Sequence, residues 1–323
     1  MGAEAKSKSA HVILGPTINM QRSPLGGRGF ESLGEDPVLA GLGAAALING
    51  IQSTGIQATL KHFVCNDQEH RRNAVQAIVT DRALRETYTL PFQLAVRDSS
   101  PGSFMTSYNG INGTYCSENK ELLDGILRKE WGWDGMIMSD WYGTYTTSQA
   151  ALAGLDLEMP GPPRFRGDLL NFAVGTDKVR EHILDERARA MLKFIKKCAA
   201  SGVPENGPEK AENTPETAEL LRRIGAESLV LLKNEGDVLP LKKDKKVCDI
   251  SDARFRNPLL TASRLLSLVL TPRLQHITEV DRLLWQLSMR LRHLMVSVRS
   301  SAQLPNGLLA LTHTRCYLSW DIP

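Results

Sequence analysis

Residues 135–143 read GMIMSDWYG, and how that stretch is read decides the fold. Met136, Ile137 and Met138 are apolar in succession, then Ser139 leads to Asp140, with Trp141 and Tyr142 beside it. An unbroken apolar run predicts a strand buried on both faces, as in a parallel sheet. A carboxylate at the C-terminal end of such a strand stands where parallel barrels keep their chemistry. A lone Asp there also reads as the cap of a following helix. The rest of the chain decides between the two.

Outward from this stretch, strands alternate with helices. VILGPTINM, residues 12–20, predicts a strand that runs into the turn QRSPLGGRGFE. Asp36-Pro37 predicts a helix start, with Asp as cap and Pro in the first turn, and Gly55 marks its end. IQATLKHF, residues 56–63, is the next strand and ends in Lys61-His62, ahead of NDQEHRR. Thr80 and Asp81 open one helix through residue 98. SFMTSYN is a third strand, ending at Tyr108-Asn109, and residues 119–130 are helical. After the Asp140 strand come a short helix near 148–153 and a fifth strand, LDLEM. Two helical patterns follow Arg166, the second being TDKVREHILDERARAMLKFIKKC. The alternation predicts a parallel α/β fold, best fitted by an incomplete (β/α)8 TIM-like barrel over residues 1–200.

Residues 201–216, SGVPENGPEKAENTPE, are a linker by composition. Residues 217–247 predict a helix, a strand SLVLLKN, a turn at Glu235-Gly236 and VLPLKKD, the entry to a second domain. From residue 248 the composition changes. Lys is absent, Gly307 stands alone, and Leu, Arg and Ser dominate. This segment reads as disordered or as out-of-frame sequence, although 282–298 also fits a basic amphipathic helix.

The net charge of +3 is uneven, because the nine Arg and five acidic residues from Asp249 onward carry +4. The remainder is near neutral, which argues against a polyanion partner. Arg in the tail alternates with Leu rather than with stacking aromatics, so a nucleic-acid role is the weakest reading. Five cysteines without CxxC spacing support neither a metal site nor a disulfide framework. No apolar run is long enough for a bilayer, and the N-terminus has no signal-peptide core.

Polar pairs gather at successive strand ends: Arg28 with Glu31, Lys61 with His62, Tyr108 with Asn109, Asp140 with Trp141. Each alone has a plain reading, as a surface ion pair, a core histidine or a packed tyrosine. Together they supply what sugar recognition needs: fixed donors and acceptors for hydroxyls, an aromatic face and a carboxylate able to attack an anomeric carbon. Nearby cations, Lys61 and either arginine, would keep that carboxylate ionised.

The stretches RSPLGGRGFESLGEDP, LKHFVCNDQEHRR, FMTSYNGINGTYCSEN, GMIMSDWYG, GLDLEMPGPPRFRG and RIGAESLVLLKNEGDVLPL resemble the fungal-type β-glucosidases of glycoside hydrolase family three. The resemblance covers residues 11–246. It implies a (β/α)8-like barrel followed by an α/β sandwich domain, and hydrolysis of terminal β-D-glucosyl residues with retention. It implies Asp140 as nucleophile, Arg28, Lys61, His62, Arg72 and Tyr108 as glucose contacts, and Met105 and Trp141 as pocket walls. It implies no metal or organic cofactor, a small β-glucoside or cello-oligosaccharide as partner, no nucleic acid or membrane partner, and a secreted enzyme.

The same resemblance predicts a chain truncated at both ends. The family's general acid is a glutamate of the sandwich domain, and no residue after Val247 matches that pattern. Asp67 and His70 lie in the loop where some relatives carry a substitute His/Asp dyad, but within NDQEHRR rather than a glycine-rich form. Two alternatives therefore stand beside the β-glucosidase: an inactive remnant or carbohydrate-binding pseudoenzyme, and a β-xylosidase or other exo-glycosidase of the same family.

Overall fold

The computed structural model describes residues 1–211, 213–236 and 239–241. The chain divides into two units, Met1–Leu221 and Arg222–Pro323. Every expectation for residues 248–323, whether disorder, out-of-frame sequence or an amphipathic helix, lies outside the described residues.

In chain order the first unit runs α1 (Gly2–Ser7), β1 (Val12–Ile13), α2 (Pro37–Gln52), β2 (Gln57–Phe63), β3 (Gln76–Ala77) and α3 (Asp81–Ala83). It continues through α4 (Leu90–Asp98), β4 (Ser103–Thr106), β5 (Gly110–Ile111), β6 (Thr114–Tyr115) and β7 (Met136–Met138). Helices α5 (Ser148–Ala153), α6 (Asp168–Gly175) and α7 (Glu181–Ala199) follow, and α8 (Pro215–Glu227) crosses into the second unit.

The expected parallel α/β architecture is present. β1, β2, β4 and β7 form one sheet in that order, every neighbour parallel. All of β4 and all of β7 are buried, and in β7 the run is apolar throughout. An aromatic knot packs on the sheet: Phe63 meets Phe92 at 5.1 Å and Phe104 at 5.4 Å, and Phe104 meets Trp133 at 4.7 Å, all edge-to-face. Asp36 caps α2 through the Val38 amide at 2.8 Å, with Pro37 in its first turn. α2 lies close on α4 because Gly41 has no side chain. A Cβ there would stand 2.7 Å from Leu94 Cβ and 2.9 Å from Pro91 O.

Several expectations need correcting. VILGPTINM is a strand only at its start. Pro16 has no N–H to give the ladder, and the segment rejoins β2 through a single bridge from Thr17 to Lys61. LDLEM is not a strand. It touches β7 through one bridge, Met138 to Leu157, and the Asp156 carboxylate takes the Ile137 amide at 2.8 Å in place of a backbone carbonyl.

Residues 80–98 are not one helix. A wide turn at Leu84–Tyr88 separates α3 from α4, and Pro91 in the first turn of α4 cannot extend a preceding ladder. The helix expected at 119–130 is present as Glu121–Glu130 and is also wide, its end closed by Trp131 N to Ile126 O at 3.0 Å. In the second unit, residues 228–234 form no strand. There Asn234 instead pairs both its amide groups with Leu239, each at 3.0 Å. A small sheet of β3, β5 and β6 was not anticipated at all.

A buried ion cluster ties β7 to the chain after α5. Asp156 meets Arg128 at 2.7 Å and Arg187 at 3.3 Å, its side chain wholly buried. Burial pushes its carboxyl up and the two arginines pull it back. Below it, Glu158 accepts backbone amides from Arg164, Phe165 and Arg166 and so shapes the turn 158–166.

Candidate active site

Parallel strands end at one edge of their sheet, so residues that close successive strands converge. Thr17 and Asn19 follow β1, Lys61 and His62 close β2, Tyr108 follows β4, and Asp140 follows β7. Here the order of the sheet brings His62 and Asp140, far apart in the chain, to within 3.5 Å of each other.

Asp140 is 8% exposed. Its Oδ1 accepts the Trp141 amide at 2.7 Å, which leaves Oδ2 facing His62 Nε2 at 3.5 Å. Burial raises its carboxyl above the ordinary range, while the Trp141 amide, the Tyr108 hydroxyl, Arg28 and Arg72 oppose that rise. Lys61 also feels the Asp140 charge, and together these cations offset burial only in part. Tyr108 responds in turn: burial and then the Asp140 carboxylate push its hydroxyl up to about 12.

His62 is 1% exposed, and burial, followed by Arg28 and Lys61, depresses it well below the usual imidazole range. Its contact with Asp140 is therefore not an ion pair at neutral pH, whatever its distance suggests. Asn19 donates to the His62 carbonyl at 2.8 Å and accepts the His62 amide at 3.0 Å.

Arg28 approaches the ring from the other side, its Nη1 3.3 Å from Nε2. The guanidinium is fixed by Glu31 through two bonds of 2.8 and 2.9 Å, and Thr17 donates to the same carboxylate at 2.7 Å. Burial would raise Glu31, but Arg28, Thr17 and Lys61 bring it down to about 2. Lys61 is lowered by burial, against which Glu31 acts.

Arg72 lies over the Tyr108 ring at 4.7 Å and donates to Glu69 at 2.7 Å. Glu69 also accepts from Asn66 at 3.3 Å. Trp141 and the buried Met105 belong to one apolar cluster with Met136, Met138 and Phe194 of α7. A small cavity between Thr17, Asn19, Arg28, His62, Asn66 and Asp67 has room for about one water. Asp67, beside it, is raised by burial to about 6, and its Oδ1 is buried without a hydrogen-bond partner.

All eight residues singled out in the sequence thus border one region. Arg28, His62, Tyr108 and Asp140 interact directly, Arg72 joins through Tyr108, Lys61 through Glu31, and Met105 with Trp141 form the apolar side. The residues that hold them in place, Thr17, Asn19 and Glu69, were not picked out. Glu69 sits three residues before Arg72, a helical-turn spacing that could have signalled the pair. Among the described residues, no three His, Cys, Asp or Glu side chains gather as a metal site, and no helix is long and apolar enough to cross a membrane.

The family model for the glycosyl hydrolase family 3 N-terminal domain matches residues 1–193. The chain belongs to glycosyl hydrolase family 3. It is 60% identical over 247 residues to a probable beta-glucosidase I of Aspergillus flavus, which covers 76% of this chain and 29% of that one. It is also 60% identical over 251 residues to the Emericella nidulans protein of the same name, covering 77% and 30%. Among solved structures it resembles the beta-glucosidase of Kluyveromyces marxianus in complex with glucose, at TM-score 0.74 and 52% identity, over 76% of this chain and 30% of that one. The beta-D-glucoside glucohydrolase of Trichoderma reesei matches at TM-score 0.70 and 37% identity, over 75% and 35%. The chain spans under a third of the length of these curated relatives.

Proposed function

We propose that this chain carries the nucleophile side of a retaining β-glucosidase site, with a terminal, non-reducing β-D-glucosyl residue as the group bound. The observation that carries the reading is the setting of Asp140. One oxygen is tied to the Trp141 amide, the other faces the ring of His62, and Arg28, Arg72 and Tyr108 surround the carboxylate.

In this reading Asp140 Oδ2 forms a bond to the anomeric carbon as the glycosidic C–O bond breaks, and water later cleaves the glycosyl ester with retention. Arg28, Lys61, His62, Arg72 and Tyr108 contact the sugar hydroxyls, and Met105 and Trp141 wall the pocket. The names of the relatives and the glucose bound to the Kluyveromyces marxianus enzyme support the choice of sugar. The domain reading goes with it: a sector of a (β/α)8 barrel over residues 1–200, a linker at 201–216, the start of an α/β sandwich at 217–247, and an unmatched segment from 248.

A second reading, sugar binding without turnover, rests on one observation. Glu31 and Glu69, two of the carboxylates that share this region, are each bonded to an arginine, and Glu31 at about 2 holds no proton at neutral pH. Neither is then available to protonate a leaving group.

The experiment is hydrolysis of activated aryl β-glucosides and β-xylosides by the full chain, alongside glucose titration. An activated leaving group needs little acid assistance. Turnover of the glucoside supports the first reading, glucose binding alone supports the second, and a preference for the xyloside overturns the choice of sugar.

A further inference from the structure

We infer that Asn19 is a positioning residue that fixes His62 as the Nδ1-protonated tautomer and presents the Nε2 lone pair at the sheet edge. The argument starts from the backbone. The His62 carbonyl can only accept and the His62 amide can only donate. Asn19 bonds both, at 2.8 and 3.0 Å, so its Nδ2 must face the carbonyl and its Oδ1 the amide. The usual ambiguity of amide orientation is thereby removed.

That same Oδ1 lies 3.2 Å from His62 Nδ1. An amide oxygen only accepts, so Nδ1 carries the proton. Arg28 Nη1, a donor, stands 3.3 Å from Nε2, which agrees with a lone pair there. One neighbour pulls the other way. Asp140 Oδ2 would favour a proton on Nε2, but at 3.5 Å it is well beyond the 2.7–2.9 Å typical of a charge-assisted bond. Two contacts on His62 outweigh one.

The consequence for recognition rests on the glucoside reading. With Nε2 as acceptor, this point of the site cannot donate, so a ligand reaches it as an O–H that takes the lone pair over from Arg28 Nη1, and not as an ether oxygen or a fluorine. Asn19 is buried behind the ring, so it selects for a hydroxyl through His62.

The test is a long-range 1H–15N correlation spectrum of the full chain labelled at its seven histidines, with His62 identified by the pattern lost in His62→Gln. The expected result is an N–H nitrogen at δ1 and a lone-pair nitrogen at ε2 at pH 7. An Nε2–H pattern or a doubly protonated ring overturns the inference. In Asn19→Leu, with the other histidine patterns unchanged, the proton should move to Nε2. Retention at Nδ1 would show that Asn19 does not set it. Asn19→Asp keeps an acceptor and should keep Nδ1–H, and with the wild-type spectrum it carries the test if Asn19→Leu does not fold. None of these readouts needs a sugar, so failure to bind glucose would sink the proposed function and leave the tautomer standing.

Discussion

The Arg28 guanidinium and the Glu31 carboxylate lie three residues apart in the chain and are joined by two hydrogen bonds, Nε to Oε1 at 2.8 Å and Nη2 to Oε2 at 2.9 Å. The turn Gly29–Glu31 between them makes that geometry possible. A bidentate carboxylate fixes the plane of an arginine as well as its charge. Glu31→Gln should therefore leave Arg28 present but misaligned, weakening glucose binding by about tenfold, ~1.4 kcal/mol. Calorimetric titration with glucose checks it, and unchanged affinity would count against Arg28 as a sugar contact.

Glu31 and Asp67 should push stability in opposite directions with pH. Glu31 is held at about 2, below its ordinary 4.5, so its contribution is present above pH 4.5 and is lost as pH falls towards 2. Asp67 is raised from 3.8 to about 6, so the fold favours its protonated form. That contribution is present below pH 3.8 and is lost as pH rises through 6, about 3 kcal/mol at most. Asp67→Asn should remove this decline between pH 4 and 6 in urea-unfolding midpoints. Its partner Arg22 is largely exposed and loses little.

Asp156→Asn should be the most damaging of the charge substitutions. It leaves Arg128 and Arg187 buried against a neutral amide, a loss of about 3–5 kcal/mol. Asp124→Asn, which breaks an exposed pair with Lys129, should cost under about 1 kcal/mol. Denaturant midpoints of the two variants give the comparison, and equal values would contradict the ranking.

Gly41→Ala tests the contact of α2 with α4. In an open helix the change stabilises by about 1 kcal/mol. Here the new Cβ meets a backbone oxygen at 2.9 Å and Leu94 Cβ at 2.7 Å, so the expected outcome is a loss of about 1–3 kcal/mol. A raised melting temperature would show that the two helices can separate without cost.

What could be read in the sequence was whatever local chemistry determines. Asp36-Pro37 signals its own helix start, and the apolar run of β7 declares burial before any partner is known. The strand ends then give Lys61, His62, Tyr108 and Asp140 as a group. Asn19 was not legible, because its role depends on a pairing with His62 across 43 residues. The two-residue strands β3, β5 and β6 are too short to show a period. LDLEM looked like a strand because its apolar residues alternate, yet a side chain, Asp156, takes the bond that a strand would have made. Pro16, by contrast, was visible in VILGPTINM and should have shortened that strand from the outset.

The central claim is that Asp140 is the nucleophile. The most direct measurement is to treat the full chain with a fluorinated glucosyl donor bearing a good leaving group, digest it and locate the adduct by mass spectrometry. The account predicts one glucosyl ester on the peptide containing Asp140, suppressed by excess glucose and absent in Asp140→Asn. An adduct on a different carboxylate, or equal labelling of the Asp140→Asn chain, would contradict it.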